Sequence, residues 1–169
     1  MNTWYEQLFT ALHEAEVRYV VVGGVAVVLH GHARLTVDVD LVIDLEPTAA
    51  LRTIEVLQGL GLKPVAPVPA RSFADPEVRE RWVEEKHMVV FSMVHPSDPT
   101  RVVDLFARNP MPFEELWQRS QLVYMSGCPV RVAALADLIA MKQAAGRSED
   151  LADVALLRTM VSDPGGTHG

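Results

Sequence analysis

The chain has 169 residues, which is enough for one hydrophobic core, and folding a domain of this size hides roughly two-thirds of the surface of the unfolded chain. Apolar residues make up 49% of the sequence, which excludes a disordered or fibrous protein. The net charge of -7 argues against a broad contact with nucleic acid, because phosphate binding needs clustered lysine and arginine. The one visible basic cluster, Arg71, Arg79 and Arg81, is interspersed with acidic residues and is typical of a solvated helix face.

Cysteine content and the apolar runs indicate a cytoplasmic protein with no membrane contact. No apolar run approaches the ~20 residues that a bilayer-spanning helix needs, and the first residues are acidic where a secretory signal is basic. Cys128 is the single cysteine, so we expect neither an internal disulfide nor a cysteine-rich zinc site. The histidines lack a zinc-binding spacing, and neither a serine-hydrolase nor a P-loop motif is present.

The first part of the chain alternates predicted helices with apolar strands. Thr3 and Glu6 match a capping box, which predicts the start of a helix. A β-branched run then ends at Gly23-Gly24 and predicts a strand buried on both faces. The predicted elements are a helix from Thr3, a strand over 17–22, a brief helix over 25–30, a strand over 35–45, and a helix from Pro47 to about Gly59 or Gly61.

The rest of the chain predicts a loop, a strand hairpin and a helical end. Segment 63–76 holds four prolines, which predict an irregular loop before a short charged helix over 77–84. Asp104 is placed on the second strand of a hairpin, since 88–94 and 101–106 read as strands around the turn residues 95–99. The remaining elements are a helix near 113–117, a strand pair around Gly127, and two C-terminal helices, the second of them capped by Ser148.

Asp38 and Asp40 stand two residues apart in the second predicted strand. Side chains alternate along a strand, so both carboxylates project from one face. Adjacent carboxylates repel each other, and a hard cation such as Mg²⁺ would neutralise them with the oxygen ligands that it prefers. If Asp104 on a neighbouring strand reaches the same place, the three residues could bridge two ions roughly 4 Å apart, as in polymerases. The alternative is that alternating aspartates mark the wet face of a half-exposed strand.

The glycine pair lies between a buried strand and a helix. Glycine at this place allows backbone amides and the positive end of a helix to approach a phosphate closely. A glycine pair alone is weak evidence. The order of strand, glycine pair, short helix and strand with paired aspartates is more specific and indicates a nucleotide site.

The segment GGVAVVLHGHARLTVDVDLVID, residues 23–44, resembles the core motif of the DNA polymerase beta type nucleotidyltransferase superfamily. The resemblance implies that Gly23 and Gly24 hold the nucleotide phosphates. It also implies that Asp38 and Asp40 bind metal ions and that Asp104, in RVVDLFA, completes the site. In one departure, many members have serine where this chain has Gly24, which offers no hydroxyl to a phosphate.

The C-terminal segment also resembles the helices of minimal bacterial members of this superfamily. Residues 130–157 carry this likeness, and such members include toxins of toxin–antitoxin pairs and small antibiotic-modifying enzymes. The resemblance therefore implies one nucleotidyltransferase domain over 1–169, with a core over about 1–125 and a helical extension over about 133–162. We expect an α+β fold with a mixed, mostly antiparallel central sheet flanked by helices.

Several charged residues are candidates for nucleotide binding. Lys142 lies on the apolar side of its predicted helix, where its cation either reaches triphosphate oxygens or extends to the surface along its stem. Arg34 and Thr36 precede the aspartate pair and are candidates to contact the nucleotide, although a surface arginine is the alternative for Arg34. Arg147, Asp150 and Asp153 resemble a familial motif near the helix junction, but helix capping explains the acidic residues equally well.

These patterns predict a metal-dependent nucleotidyltransferase that moves a nucleoside monophosphate from an NTP to an acceptor hydroxyl. Two Mg²⁺ ions are expected, with Mn²⁺ as the alternative. An RNA end, a protein hydroxyl and a small antibiotic all suit the same centre, and the toxin relatives imply an antitoxin-like partner protein. The alternative is a nucleotide-binding or catalytically inactive regulatory module of the same fold, which Gly24 and the acidic composition favour.

Overall fold

The computed structural model of the chain describes residues 3–162, in which seven strands form one sheet. The strands are β1 (Tyr19–Val22), β2 (Asp38–Ile43), β3 (Lys63–Pro64), β4 (Val90–His95), β5 (Asp98–Phe106), β6 (Gln121–Met125) and β7 (Cys128–Val132). The α-helices are α1 (Trp4–Glu14), α2 (Gly23–Leu29), α3 (Pro47–Gly59), α4 (Pro76–Lys86), α5 (Phe113–Arg119), α6 (Leu135–Ala145) and α7 (Ser148–Ser162), and a 3-10 helix covers Ala70–Ala74. None of the described helices has the length and apolar character that crossing a bilayer requires.

The strands lie in the order β3-β4-β5-β2-β1-β7-β6. Neighbours β1 and β2, β3 and β4, β4 and β5, and β6 and β7 are antiparallel, whereas β1 and β7, and β2 and β5, are parallel. The predicted α+β fold with a mixed, mostly antiparallel sheet is confirmed. Because β7 pairs with β1, the sheet extends to Val132, and α6 and α7 follow it as the helical extension.

The core forms around the central strands of this sheet. All four residues of β1 are buried, as expected for a strand that has neighbours on both sides. The capping box of Thr3 and Glu6 is present and starts α1 as predicted. This helix buries Leu8, Phe9 and Leu12, and the Phe9 ring stacks on Tyr19 of β1 with 5.9 Å between ring centroids. The first helix is therefore fixed against the strand that leads into the glycine pair.

The proline-rich segment is more ordered than its sequence predicts. It contains β3 and the 3-10 helix, and Phe73 is fully buried with its ring 5.2 Å from that of Phe91 on β4. Arg79 donates hydrogen bonds to the carbonyl oxygens of Phe73 and Leu45, and its guanidinium lies 5.4 Å from the Phe73 ring. The prediction of a solvated face is wrong for Arg79, which is buried, and correct for Arg71 and Arg81, which are exposed.

Two predicted helix starts also need correction. Helix α2 begins at Gly23 rather than at residue 25, so the glycine pair forms its first turn. The Leu151 amide donates to the Arg147 carbonyl oxygen at 3.0 Å, which makes Arg147 the N-cap of α7 and Ser148 its first residue. The Arg147 amide donates in turn to the Asp150 carboxylate, at 3.3 Å. A side chain within the helix thus replaces the predicted serine cap.

Replacing Arg79 with alanine is expected to lower the free energy of unfolding by about 2–3 kcal/mol, because two carbonyl groups lose their donor. Urea unfolding followed by circular dichroism measures this change. Arg81→Ala is the matched control, since Arg81 is exposed on the same helix, and its effect should stay within about 0.5 kcal/mol. Similar values for the two variants would show that the Arg79 contacts do not hold the 3-10 helix in place.

Candidate active site

Asp40 and Asp104 are directly paired residues of the adjacent parallel strands β2 and β5. Paired residues of neighbouring strands project from the same face of a sheet, and Asp38 shares this face because it precedes Asp40 by two residues. Asp38 is exposed at the start of β2, whereas Asp104 is buried. The structure therefore brings the three predicted carboxylates onto one face of two central strands.

These carboxylates influence each other's ionisation. Burial raises the pKa of Asp40 to about 7, with further contributions from the negative charges of Asp104 and Asp38. Burial likewise raises the pKa of Asp104, and Asp38 adds to this effect. The Ser92 hydroxyl opposes it by donating a hydrogen bond of 2.6 Å to Asp104 Oδ1. Like charges are thus held close together in a partly buried place.

The three carboxylates fit a divalent cation in chemistry but are not preformed around one. Their oxygens are the donors that Mg²⁺ and Mn²⁺ prefer, and their mutual repulsion is the kind that a cation relieves. Among residues 3–162, no three carboxylate, imidazole or thiol groups already stand in a metal-binding arrangement. Asp104 instead accepts a hydrogen bond from Ser92 on β4 through one of its two carboxylate oxygens. Metal binding would therefore require these side chains to turn toward each other.

The glycine pair packs directly against the site. Gly23 has a φ of 68°, and a Cβ atom there would lie 2.1 Å from Asp40 Oδ2. A Cβ atom on Gly24 would lie 2.6 Å from Thr36 Oγ1, a separation that real Cβ atoms do not adopt. A serine at position 24 therefore does not fit unless Thr36 moves. The departure from the superfamily pattern has a physical reason, which is that the Thr36 side chain occupies this space.

Cations border the carboxylates from the C-terminal helices. Lys142 is 9% exposed. Its charged group therefore does not extend to the surface along its stem, as the alternative interpretation of the sequence would require. Its Nζ lies 2.7 Å from Asp153 Oδ2 and 3.8 Å from Asp150 Oδ1. Arg34 Nη1 also donates to Asp153 Oδ2. The positive charges of Lys142 and Arg147 partly offset the rise in the pKa of Asp40.

Sequence reasoning did not predict these contacts, because it interpreted Arg147, Asp150 and Asp153 only as a familial motif, with helix capping as the alternative for the acidic residues. The Asp150 carboxylate accepts a hydrogen bond from the amide of the N-cap residue Arg147, and it also accepts one of 2.7 Å from Arg147 Nε. Asp150 is itself buried on the side of α7 that carries the buried Val154 and Leu157, and Asp153 directly precedes Val154. Acidic residues beside the apolar positions of a helix, close to a lysine on the apolar side of the preceding helix, were the available signal.

Two adjoining cavities meet at the carboxylates. The first, of about 430 Å³, is polar and contains the predicted nucleotide-binding residues Gly23, Gly24, Arg34, Thr36 and Lys142. The second, of about 640 Å³, shares Asp38, Asp40 and Lys142 with the first and also includes Asp104. Gly23, Arg147 and Asp150 also line both cavities. The remaining walls of the second cavity are apolar and are formed by Val22, Val89, Val90, Phe106, Pro110, Leu138, Met141 and Ala145. The site therefore has a polar half and an apolar half.

Gly23→Ala is expected to destabilise the protein by about 2 kcal/mol or more, because the new methyl group would collide with Asp40 and alanine is strained at positive φ. Gly59→Ala is the matched control, since a Cβ atom at Gly59, within α3, would meet nothing within 4 Å. This second variant should be neutral or slightly stabilising. Thermal and urea unfolding measure both, and equal stability of the two variants would contradict the close approach at Gly23.

Asp40→Asn is expected to stabilise the metal-free protein at pH 8. The folded-state pKa of Asp40, about 7, lies above its ordinary value of 3.8, so the fold favours the protonated carboxyl group. The stability that this protonated group contributes is full below pH 4 and is lost as the pH rises through about 7. At pH 8 the wild-type protein must bury a charge, whereas asparagine is neutral. A shift of roughly 3 units corresponds to ~4 kcal/mol at most, and we expect about 2 kcal/mol after solvent screening. Urea unfolding with a chelator at pH 5 to 8 measures it. An equal stability difference between variant and wild type at every pH would contradict the raised pKa.

Solved structures with a similar fold are nucleotidyltransferases. The solution structure of the antibiotic-resistance factor ANT(2'')-Ia has a TM-score of 0.62 at 13% identity, over 94% of this chain and 82% of that one. The lincosamide antibiotic adenylyltransferase LnuA has a TM-score of 0.61 at 14% identity, over 95% and 98%. A putative nucleotidyltransferase from Thermotoga maritima has a TM-score of 0.57 at 13% identity, over 94% and 91%. These likenesses establish the fold.

The family is identified by sequence. A comparison with curated proteins gives no match. The model of a nucleotidyl transferase family, the AbiEii toxins of type IV toxin–antitoxin systems, matches residues 7–166. This match includes the glycine pair, the three carboxylates and both C-terminal helices. The chain therefore belongs to the AbiEii nucleotidyl transferase toxin family.

Proposed function

We propose that this protein is a metal-dependent nucleotidyltransferase that transfers a nucleoside monophosphate from an NTP to an acceptor hydroxyl. The observation that carries the proposal is the pairing of Asp40 with Asp104 on adjacent strands, with Asp38 on the same face and a polar cavity beside them. Membership of the AbiEii family supports the same class of reaction. The fold that the chain shares with known nucleotidyltransferases is consistent with it.

The nucleotide would occupy the polar cavity. There the backbone amides of Gly23 and Gly24 and the hydroxyl of Thr36 would donate hydrogen bonds to phosphate oxygens, since these residues line the cavity. Arg34 and Lys142 would add charge-assisted hydrogen bonds, which are stronger than neutral ones. Because both cations are partly or fully buried, their attraction for a triphosphate is screened less than at an open surface.

Asp38, Asp40 and Asp104 would hold the Mg²⁺ ions, of which two are expected, with Mn²⁺ as the alternative. When bound, such ions neutralise the triphosphate charge and lower the pKa of an acceptor hydroxyl. In the transfer, the acceptor oxygen forms a bond to the α-phosphorus, and the bond from that phosphorus to the β-phosphate oxygen breaks, so pyrophosphate leaves. Asp104 would also accept the hydroxyl proton, because it lines the apolar cavity from which the acceptor would enter.

The acceptor would enter from the apolar cavity on the Asp104 side. An RNA end, a protein hydroxyl and a small antibiotic are the candidate acceptors. LnuA is a lincosamide adenylyltransferase, and one structure of ANT(2'')-Ia contains an adenylylated tobramycin, so both favour a small molecule. The AbiEii family favours a toxin with an antitoxin partner, and we propose that this toxin acts in the cytoplasm. An antitoxin gene beside the gene for this chain would favour the toxin over drug modification.

Wild-type protein incubated with Mg²⁺ and α-labelled nucleotides should transfer label to an acceptor in cell extract. The double variant that combines Asp38→Ala with Asp40→Ala should not transfer label. The loss should be at least about 1,000-fold, because this variant removes two of the three proposed metal ligands. Asp44→Ala is the control, since Asp44 directly follows β2 but pairs with Arg18 at 3.3 Å.

Equal labelling by the double variant would remove the catalytic assignment. Calorimetry with each NTP and Mg²⁺ addresses the remaining alternative. A wild-type chain that binds nucleotide but transfers no label would instead be the inactive regulatory module.

A further inference from the structure

One carboxylate oxygen holds two of the proposed phosphate-binding cations. Asp153 Oδ2 accepts a hydrogen bond of 2.7 Å from Lys142 Nζ and another from Arg34 Nη1. These residues come from three separate parts of the chain, since Lys142 lies on α6, Asp153 on α7, and Arg34 in the connection between α2 and β2. Their meeting is therefore a product of the tertiary structure.

Two cations that bond to the same oxygen atom lie close together and repel each other, and the negative charge between them offsets this repulsion. The side chains of Lys142 and Asp153 are 11% and 16% exposed, and that of Arg34 is 29% exposed, so water screens the repulsion only in part. Burial disfavours the ionised form of Asp153, but hydrogen bonds from Lys142 and Arg34 outweigh this effect and lower its pKa. Asp153 is therefore ionised at neutral pH and compensates both cations.

The second nearby carboxylate does not duplicate this role. Asp150 is paired with Arg147, whose Nε lies 2.7 Å from Asp150 Oδ2. Asp150 Oδ1 lies 3.8 Å from Lys142 Nζ, beyond hydrogen-bond distance. Within residues 3–162, Asp153 is the acidic residue that contacts both Lys142 and Arg34.

Arg34 depends on this contact because the surrounding segment has little apolar packing. Leu35 is 98% exposed and Val37 is 50% exposed, so neither anchors the connection between α2 and β2 in the core. Within the described part of the chain, Arg34 forms a single ion pair, and its partner is Asp153. Without it, the guanidinium would be free to rotate into solvent.

We propose that Asp153 is a positioning residue, whose carboxylate holds Arg34 and Lys142 side by side at the polar cavity for contact with a triphosphate. This inference rests on the proposed function, because it assumes that these cations bind the nucleotide. A prearranged pair of cations binds phosphate more tightly than a mobile pair, since less side-chain freedom is lost on binding. The aspartate thus acts through its two partners and does not itself contact phosphate.

The test uses Asp153→Asn, which keeps the side-chain volume and removes the charge. With Mg²⁺ and whichever NTP the wild-type chain binds most tightly, calorimetry should show a Kd raised by about 10- to 100-fold. In the labelling assay the KM for nucleotide should rise similarly, with kcat within about 3-fold. Asp153→Glu, which restores the charge, should recover most of the affinity. Asp44→Asn, which removes the ion pair with Arg18 away from the cavity, should leave the Kd unchanged.

A double-variant cycle separates positioning from a general loss of charge. If Asp153 acts through Arg34, the combination of Asp153→Asn with Arg34→Gln should raise the Kd by less than the product of the two single effects. Thermal unfolding checks that each variant folds. Asp153→Ser replaces the asparagine variant if that one does not fold.

Three results would overturn this inference. If the Kd of Asp153→Asn for nucleotide equals that of the wild-type chain, Asp153 does not position the two cations. A lower Kd would show that Asp153 competes with phosphate for them, and independent effects in the cycle would exclude action through Arg34. Failure of the wild-type chain to bind any NTP is distinct, because it would overturn the proposed function and this inference with it.

Discussion

Like charges at the centre of the sheet are the constraint on which the rest of the site depends. The β2–β5 register places Asp40 beside Asp104, and the period of the strand adds Asp38 to the same face. Burying carboxylates near each other is unfavourable, as the raised pKa of Asp40 reflects. A fold that keeps them there must leave space for them on one side and supply positive charge on the other.

Two parts of the fold meet these requirements. Gly23 provides the space, because the Asp40 carboxylate lies where a side chain on that residue would be. The C-terminal helices provide the charge, through Lys142 on α6 and Arg147 before α7, both of which favour the ionised form of Asp40. The two helices contact each other, and Asp150 and Asp153 on α7 in turn pair with these cations. The helical extension is therefore part of the site and not an appendage to it.

The sequence predicts the features that follow from local periodicity. Strand alternation placed Asp38 and Asp40 on one face, and the apolar run with its glycine pair located β1 and α2 to within two residues. What it could not predict arises from contacts between distant segments. Arg79 is buried because the carbonyls of Phe73 and Leu45 converge on it, and four prolines in segment 63–76 obscured the buried Phe73. The contact between Arg34 and Asp153 spans 119 positions, which no local pattern reveals.

Gly24 lies beside the carboxylates and bears on whether the protein is an enzyme or an inactive relative. Read from the sequence alone, the missing serine hydroxyl favours a module that has lost function. In the structure, the Thr36 hydroxyl stands 2.6 Å from where a Cβ atom of residue 24 would be, and it lines the same polar cavity. A small residue at 24 and a hydroxyl at 36 are therefore complementary, because either side chain excludes the other from this space. The cavity retains a hydroxyl group beside the glycine turn, so the glycine by itself gives no reason to prefer the inactive module.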